Sequence, residues 1–414
     1  MRIYFTYWLI PAVLLALPIF WLVLRRDRWR LLFTLLLSLA ALALLHPIWV
    51  VIALGITVAT HQLAELLRRR KLAVGHAVLL AIAVAVVTLA IGKYGHDLAR
   101  SLWQSNDWAV THLIMPLGIS YFVFRMLQYV FDQARGVLPE NSLFKLATFL
   151  FFIPTVPAGP LETYQGFYGK RSTSFDKPLF YKGLRRIAVG YFKKVFVVDF
   201  AIPLVFGPLV LDAVGNSHWQ GSAHKPLLAI FYAIVVFVKA YFDLSAYTDL
   251  AIGFSSLFGF RIMENFDWPF LSRNVSDFWQ SWHISLSSWC RNNVYFPVYG
   301  WTRIPWLGLY ASMLTMGLWH DVTLNWTFWG LYHGSGLVVY SRWSQFKKKW
   351  KKKHRKSKKK TRSDKVFGLL GYPVTFLYVA FGYAFVSTST FGHGLRIFIW
   401  CFEGPAMWLK HLIS

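Results

Sequence analysis

The chain has 414 residues, of which 56% are hydrophobic and 15% are charged, whereas a soluble domain carries ~25% charged residues. Several apolar runs approach the ~20 residues with which a helix crosses a bilayer. This composition excludes an ordinary soluble protein. It predicts an all-α, polytopic integral membrane protein with about 10–12 transmembrane helices. The net charge of +26 does not indicate a nucleic-acid partner, because most basic residues lie in short clusters beside apolar runs, as the positive-inside tendency predicts.

The first predicted crossing is the apolar run Tyr7 to Leu24, which four arginines follow between residues 25 and 30. A secretory signal has its charges before the apolar stretch, so we expect a retained first span whose C-terminal end is cytoplasmic. A second basic cluster occupies residues 68–71. Two crossings fit between the clusters, with an outer turn at His46–Pro47. The next span is expected over Leu72 to Ile91.

A polar loop is predicted for residues 92–108, followed by a span from Leu113 to Phe131. The segment "LATFLFFIPTVPAGPLETYQGFYGKR" then interrupts the apolar pattern with several prolines and glycines. Irregular backbone at membrane depth must be buried in protein or line a cavity. This pattern indicates a helix that stops short and a re-entrant or interfacial segment. Long apolar stretches follow near 184–211 and 226–258.

Residues 272–299 are too polar for an ordinary lipid-facing span. On one helix, a polar face would contain Ser276, Gln280, His283, Ser287 and Arg291. A second face would be largely aromatic, with Phe278, Trp282, Leu286 and Trp289. The pattern predicts an amphipathic helix that lies at an interface or lines a wet cavity.

The last third of the chain is apolar over 305–344 and then almost wholly basic from Lys347 to Lys365. We expect this basic segment to be a disordered cytoplasmic loop near anionic lipid. Two more spans fit before Ser414. The predicted organisation is a single membrane domain in four parts. These are N-terminal spans 1–110, a motif-bearing core 111–344, a basic loop 345–365 and C-terminal spans 366–414.

Few titratable groups fall inside apolar runs, and these are candidates for function. Asp243 and Asp249 lie in the stretch 226–258, either as functional groups or as part of a packing network with nearby hydroxyls. His320 follows "MLTMGLW", where burial would keep an imidazole neutral and able to act as a general base. His283 is a lone helical histidine, which is more often structural. On one continuous helix, His333 would be rotated by about 220° from His320, so a pair is not expected.

The sequence lacks the common nucleophile, nucleotide and zinc motifs. It has no G-x-S-x-G elbow, no P-loop, no G-x-G-x-x-G fingerprint and no H-E-x-x-H pair. The two cysteines, Cys290 and Cys401, give no metal-ligand spacing and no disulfide framework. No metal site is therefore expected, and the chemistry must use few protein groups and an activated substrate from elsewhere.

Three segments, "AYFDLSAYTDLAIG", "MENFDWPFLSRNVSDFWQSWHISLSSW" and "MGLWHDVTLNWTFWGLYHG", closely resemble the membrane-bound O-acyltransferase family. The resemblance runs from about Met115 to Gly336 and is strongest to the branch that modifies bacterial polysaccharides. It implies helices around a central tunnel and transfer of an acyl group from a cytoplasmic thioester to a hydroxyl. The donor would be acetyl-CoA or an acyl carrier protein, and no bound cofactor is implied.

The resemblance also implies roles for individual residues. His320 matches the histidine of the family's G-L-W-H motif, and His283 matches the histidine of its W-x-x-W-H motif, so both are catalytic candidates. The substrate-binding candidates are Asn325, Arg291, Trp319, Trp282, Asp243 and Ser287. Two residues depart from the family pattern, because Asp321 replaces a glycine and Asn292 replaces an acid. We hypothesise that Asp321 stands in for the missing carboxylate.

The bacterial branch contains two activities, and the motifs favour one of them. The motif sequences are more similar to those of the O-acetyltransferases of exported glycans, whereas the chain length is closer to that of the D-alanyl transferases of teichoic acids. A third alternative is translocation of acyl groups to a separate periplasmic transferase. The expected partners are membrane lipid, the donor, an exported glycan and a periplasmic acyltransferase. The expected location is the bacterial inner membrane.

Overall fold

The computed structural model describes residues 4–103, 118–138, 140–207, 225–353 and 362–413. Within these ranges the secondary structure is helical, without a β-strand, and the only extended pairing is a bridge between Phe266 and Trp282. The all-α class is therefore confirmed. Contacts divide the chain into a first unit, Met1–Gly190 with Tyr247–Met263, and a second unit, Tyr191–Ala246 with Glu264–Ser414.

The first unit begins with helices joined by short turns. Its helices in chain order are α1 Tyr4–Pro18, α2 Asp27–Leu45, α3 Pro47–Arg68, α4 Val74–Trp103, α5 Ile119–Ala134, α6 Leu143–Phe151, α7 Tyr164–Gly169 and α8 Lys177–Tyr191. A π-helical turn, Ile19–Val23, extends α1. The two crossings predicted between the basic clusters and the turn at His46–Pro47 are confirmed, and Pro47 occupies the first turn of α3, where proline is favoured. The first predicted crossing corresponds to a shorter apolar helix and stays a prediction.

One prediction in this region is corrected, and another lies partly outside the described residues. The polar loop expected for residues 92–108 is wrong in its first part, because α4 continues as helix to Trp103. Polarity alone does not end a helix, and the leucine, alanine and arginine that follow Asp97 have good helix propensity. Residues 104–117 lie outside the described ranges, and with them the start of the span predicted from Leu113. The described part of that span is α5, which begins after Gly118 in a left-handed conformation.

The proline-rich segment after α6 is irregular, as predicted. The helix ends at Phe151, a single 3-10 turn covers Ile153–Thr155, and the chain then runs without regular structure to α7. This backbone is buried in protein, and Glu162 accepts a hydrogen bond from the amide of Met263 at 2.9 Å. Burial within the protein satisfies the requirement for irregular backbone in an apolar setting.

The second unit contains the helices that carry the candidate site. After a π-helical segment, Phe192–Ala201, they are α9 Ile202–Phe206, α10 Lys225–Leu257, α11 Val275–Ser281, α12 Ile284–Cys290, α13 Phe296–Thr302, α14 Pro305–His320, α15 Leu324–Lys353, α16 Arg362–Val386 and α17 Phe391–Ile413. The last turns of α10 belong to the first unit. A π-helical turn, Arg291–Tyr295, joins α12 to α13.

Helices α14 and α15 approach each other closely because both have glycine at the contact. A Cβ atom on Gly317 would overlap the carbonyl oxygen of Trp326, and one on Gly330 would lie 2.8 Å from the carbonyl oxygen of Met313. Small residues at such positions allow two helix backbones to pack directly. This contact fixes the end of α14 against the start of α15.

The basic segment is not a continuous disordered loop. Helix α15 extends to Lys353 and α16 begins at Arg362, so the prediction is wrong for both ends of Lys347–Lys365. Residues 354–361 lie outside the described ranges. Lysine and arginine have high helix propensity, so a helix entering the segment can continue through it.

Five helical segments in the described ranges are long and apolar enough to cross a membrane. They are Asp27–Leu45, Pro47–Arg68, Val74–Gly95, Pro226–Leu257 and Gly368–Val386. The polytopic membrane class is therefore confirmed, while the number of about 10–12 crossings and the single-domain organisation stay predictions.

Candidate active site

The segment around His283 is two short helices and not one amphipathic helix. Helix α11 is capped by Asn274, whose side-chain oxygen accepts a hydrogen bond from the amide of Asp277 at 2.9 Å, and it ends at Ser281. His283 then adopts a left-handed conformation with φ of 43° before α12 begins. The continuous helix predicted from periodicity is therefore wrong at this position.

The break is stabilised by a distant segment of the same unit. The backbone of Asn265 accepts a hydrogen bond from the amide of Ile284 at 2.9 Å, and its side-chain oxygen accepts from the amide of Ser285 at 3.2 Å. The amide of Asp267 donates to the carbonyl of Ser281 at 3.0 Å. These bonds pair both sides of the break with the extended chain before α11. They replace the helical bonds that the turn gives up.

The imidazole of His283 is buried, with 3% of its surface exposed. In the described part of the chain, neither of its ring nitrogens has a hydrogen-bond partner. Burial lowers the pKa of His283 to about 4, because the charged imidazolium loses its hydration. His283 is therefore neutral near pH 7, and its imidazole offers one N–H donor and one acceptor nitrogen.

His320 has a different environment from the buried one predicted. It is the last residue of α14, and its side chain is exposed. The imidazole stacks on Trp326, with ring centroids 4.2 Å apart and planes 12° apart, and it contacts Trp319 at 4.5 Å. The environment expected for His320 belongs to His283. The aromatic contacts of His320 fix its orientation at the helix end.

Trp319 joins the two catalytic candidates. Its ring centroid lies 4.5 Å from that of His320 and 6.3 Å from that of His283. The structure thus brings His283, Trp319 and His320, all three of them predicted site residues, into one cluster. One histidine of the cluster is buried and one is exposed.

His333 is a packed core residue. It contacts Trp279 at 5.2 Å and Trp329 at 4.7 Å, and a Cβ on Gly382 would lie 2.6 Å from its Nε2 atom. The helix assumed to continue from His320 is interrupted between α14 and α15, so the calculated rotation does not apply. Trp329 also lies 6.3 Å from His320. An aromatic ring therefore contacts both histidines.

A cavity of about 440 Å³ lies between α11–α12 and α14. Four of the five residues predicted to share a polar face line it, namely Ser276, Gln280, Ser287 and Arg291. The opposite wall is apolar and includes Met313 and Met316. The fifth predicted residue, His283, is not among the lining residues, because the break turns it into the interior. Ile284, the next residue, does line the cavity.

The polar wall offers donors to a ligand. Arg291 is exposed at the start of the π-helical turn, and it has no hydrogen bond or ion pair within the described ranges. The hydroxyl of Ser287 donates to the carbonyl of Trp282 at 3.0 Å and so keeps its lone pairs for an incoming donor. One wall of the cavity is therefore cationic and hydroxyl-rich, and the other is apolar.

Three predicted substrate-binding residues lie elsewhere in the second unit. Trp282 is buried in an aromatic cluster and packs 5.4 Å from Phe237. Asp243 forms an ion pair with Lys194 at 2.7 Å. The side-chain amide of Asn325 donates to the carbonyls of Phe385 at 2.5 Å and Thr388 at 3.1 Å. These contacts hold helices together, and they give each residue a structural role.

The acids of α10 were predicted to form a network with nearby hydroxyls, and in the structure basic side chains also take part in it. In the second unit, the hydroxyl of Ser245 accepts a hydrogen bond from Lys193 at 2.7 Å. In the first unit, Asp249 is buried and paired with Arg186. Asp243 and Asp249 are thus neutralised by basic residues from the segment 186–194, which precedes α10 in the chain.

Sequence reasoning missed the apolar wall of the cavity and the glycines beside it. Ser312 and Met316 precede His320 at steps of four on α14, so a search for residues sharing the histidine's helix face would have found them. Gly317 belongs to the motif but was given no role. Its role depends on the approach of α15, which the local sequence does not reveal.

The fold and the site define a polytopic helical membrane protein with two histidines joined through a tryptophan, next to an amphipathic cavity. The sequence profile of the membrane-bound O-acyltransferase family matches residues 101–363. This match covers more than half of the chain, and the chain belongs to this family.

Several known proteins are similar to the chain over most of this region. A probable alginate O-acetylase of Azotobacter vinelandii is 34% identical over 276 residues, which is 63% of this chain and 52% of the relative. A teichoic acid D-alanyltransferase of Bacillus subtilis is 30% identical over 297 residues, covering 68% of this chain and 71% of the relative. A peptidoglycan O-acetyltransferase of Helicobacter pylori is 28% identical over 283 residues, covering 60% and 51%. The chain therefore spans about half the length of the alginate O-acetylases that it matches.

Proposed function

We propose that this chain is a membrane O-acyltransferase of the bacterial inner membrane. It moves an acyl group, with acetyl as the favoured group, from a cytoplasmic thioester to hydroxyls of an exported cell-envelope glycan. Family membership and the names of the relatives support acyl transfer. The observation that carries the proposal is the cluster of His283, Trp319 and His320 beside a cavity with one polar wall.

In the proposed reaction His320 is the general base. Its imidazole takes the proton of the acceptor hydroxyl as the oxygen attacks the thioester carbonyl, and the carbon–sulfur bond then breaks. The leaving thiolate takes up the proton from the imidazolium. A thioester is already activated, so one positioned base and alignment of the two substrates can supply much of the rate. No bound cofactor takes part.

His283 is suited to hold a substrate and less suited to collect protons from water. With a pKa lowered to about 4 by burial, it stays neutral throughout the reaction and offers one N–H donor and one acceptor nitrogen. A neutral donor aimed at the developing oxyanion would stabilise the transition state. We therefore assign His283 to binding or polarising a substrate carbonyl, and His320 to proton transfer.

The cavity is proposed to hold part of a substrate near this cluster. Met316 is one helical turn before His320, and Ile284 directly follows His283, so the cavity begins beside both histidines. Arg291 and Ser287 would bind polar or anionic groups, and Met313 would contact an acyl or methylene segment. Trp319 would shield the reacting groups from water.

D-alanyl transfer from a carrier protein to teichoic acid or a similar polymer is the second candidate. It is favoured by the share of each relative that aligns with this chain, which is 71% for the Bacillus subtilis D-alanyltransferase and 52% for the Azotobacter vinelandii O-acetylase. Acetyl transfer is favoured by the higher identity of 34% against 30%. A third candidate is delivery of acyl groups to a separate periplasmic acyltransferase.

The test compares two donors with purified full-length protein and a glycan acceptor. Labelled acetyl-CoA and a labelled D-alanyl carrier protein are supplied separately, and the donor that loses its acyl group is identified. Acetyl-CoA is expected to be consumed. Consumption of the D-alanyl carrier alone would replace acetyl transfer by the second candidate.

The role of His320 is tested by His320→Ala, with His76→Ala as the control. His76 is an exposed histidine in the first turns of α4, so its loss controls for removal of a surface imidazole. We expect His320→Ala to reduce transfer at least about 100-fold, the contribution of a general base, and His76→Ala to leave it unchanged. Full activity of His320→Ala would refute the role of His320 as the general base.

A further inference from the structure

A second and larger cavity of about 820 Å³ lies between α15 and α16 and the loop before α11. Its volume is within the ~300–1,000 Å³ range of ligand sites. We call it the basic groove, and the residues used below are Arg273, Val339, Trp343, Lys347, Lys348 and Val374. The groove is separate in its lining from the cavity beside the histidines.

One end of the groove is closed by tyrosines. The rings of Tyr332 and Tyr378 stack 4.4 Å apart, and each hydroxyl donates to the other residue's carbonyl, at 2.9 Å and 2.5 Å. Gly336 lets the hydroxyl of Tyr378 lie against α15, where a Cβ would overlap it. At the other end, a Cβ on Gly368 would meet nothing within 4 Å. The groove is therefore a cleft open towards the basic part of α15.

The open end carries positive charge from exposed basic side chains. Lys347 and Lys348 are exposed, and neither has an ion pair within the described ranges. Arg273 is held by its Nε atom, which donates to the hydroxyl of Tyr372 at 2.6 Å, so its other guanidinium nitrogens can face a ligand. The nearby acid, Asp277, is already bonded to Asn274 at 2.6 Å, and the lining residues that the structure describes include no acid. Such a set of donors fits a phosphate group.

The walls between the two ends are apolar and exposed. Val339 is 67% exposed, Trp343 is 55% exposed and Val374 is 63% exposed. A tryptophan between an apolar stretch and a basic one is typical of a helix at a membrane–water interface. Val339 precedes Lys347 by two helical turns, or about 12 Å along the helix. The distance between the apolar wall and the basic end of the groove thus matches the distance between the acyl chain and the phosphate of a phospholipid.

We infer that the basic groove binds one anionic phospholipid. Its phosphate lies at Arg273, Lys347 and Lys348, and an acyl chain lies against Val339, Trp343 and Val374. Charge complementarity and the apolar wall together favour a lipid over a small soluble anion, because basic pockets between helices on the cytoplasmic side bind lipid headgroups. The inference does not depend on the acyl-transfer chemistry.

The test measures lipid adducts of the delipidated, full-length protein by native mass spectrometry. Phosphatidylglycerol and phosphatidylcholine are titrated separately, and inorganic phosphate and coenzyme A are the two soluble competitors. We expect the first phosphatidylglycerol molecule to bind more tightly than phosphatidylcholine and to resist both competitors. Equal affinity for the two lipids would overturn the inference. Displacement by coenzyme A would show that the groove belongs to a soluble donor.

Variants with the same change in charge distinguish lipid binding in the groove from nonspecific attraction of anionic lipid to a basic surface. The Lys347→Gln, Lys348→Gln double variant should weaken phosphatidylglycerol binding by about 30-fold, from about five-fold per lysine near an anionic headgroup. The control is Lys349→Gln, Lys352→Gln, which removes two exposed lysines of the same helix that do not line the groove. An equal loss in the control would overturn the inference. Unchanged binding in Val339→Asn would show that the apolar wall does not contact an acyl chain, and it would also overturn the inference.

Discussion

Replacing Gly317 by alanine tests whether the contact between α14 and α15 positions His320. A Cβ at this position would overlap the carbonyl oxygen of Trp326, the residue whose ring stacks on His320 at 4.2 Å. Relief of the overlap requires the two helices to separate by about 1 Å, because carbon and oxygen repel steeply inside van der Waals contact. His320 lies three residues after Gly317 and would move with the end of α14.

The expected effect is larger on activity than on folding. Inserting a methyl group into a packed contact costs about 1–3 kcal/mol, and alanine returns up to ~1 kcal/mol of helix propensity over glycine. The net loss of stability should therefore be about 2 kcal/mol or less. A displacement of about 1 Å at a catalytic group can lower the rate about 100-fold. We expect kcat to fall by about this factor while the protein still folds.

The matched control is Gly300→Ala in α13. Gly300 is also helical, and a Cβ there would meet nothing within 4 Å. This variant should gain a little thermal stability and keep wild-type turnover. Both proteins are purified in the same detergent, and Tm and acyl transfer from the identified donor are measured side by side. If Gly317→Ala kept wild-type turnover and Tm, the argument that this glycine positions His320 would be refuted.

Three further predictions concern the polar residues of the site. Because burial lowers the pKa of His283 to about 4 while the unfolded chain binds the proton near 6.5, unfolding takes up a proton. The Tm should therefore fall as the pH drops from about 6.5 towards 4, and this fall should be smaller in His283→Asn but not abolished, because burial also lowers the pKa of His333. Asp321→Gly should lower kcat if Asp321 replaces the family carboxylate, and an unchanged rate would remove that hypothesis. Arg291→Gln should raise the KM of one substrate several-fold with little change in kcat, whereas Arg342→Gln, an exposed residue outside the cavity, should change neither constant.

The sequence predicted those parts of the fold that are controlled by local composition. Basic clusters and His46–Pro47 marked the first crossings, and the prolines after Phe151 marked the irregular segment. Four-residue spacing identified Ser276, Gln280, Ser287 and Arg291 as neighbours, and the structure places all four on one cavity. The spacing survives the break because α11 and α12 present their polar faces to the same space.

The remaining features depend on contacts between distant segments. The left-handed turn at His283 has neither glycine nor proline to signal it. It is held by hydrogen bonds that Asn265 accepts and by one that the amide of Asp267 donates. Local periodicity contains no information about that pairing. For the same reason, the sequence predicted burial for His320, which is exposed, and placed His283, which is buried, on a polar helix face. The apolar run before His320 ends at a helix terminus. Burial of His283 follows from the turn.

The left-handed backbone at His283 has a consequence for how position 283 tolerates change. A φ of 43° is a conformation that glycine and asparagine adopt readily and that costs other residues about 1 kcal/mol or more. A library randomised at this codon and sorted only for folded, membrane-inserted protein should therefore enrich glycine and asparagine. The same library sorted for acyl transfer should enrich histidine. The difference between the residues enriched in the two selections would measure how strongly the reaction constrains this turn.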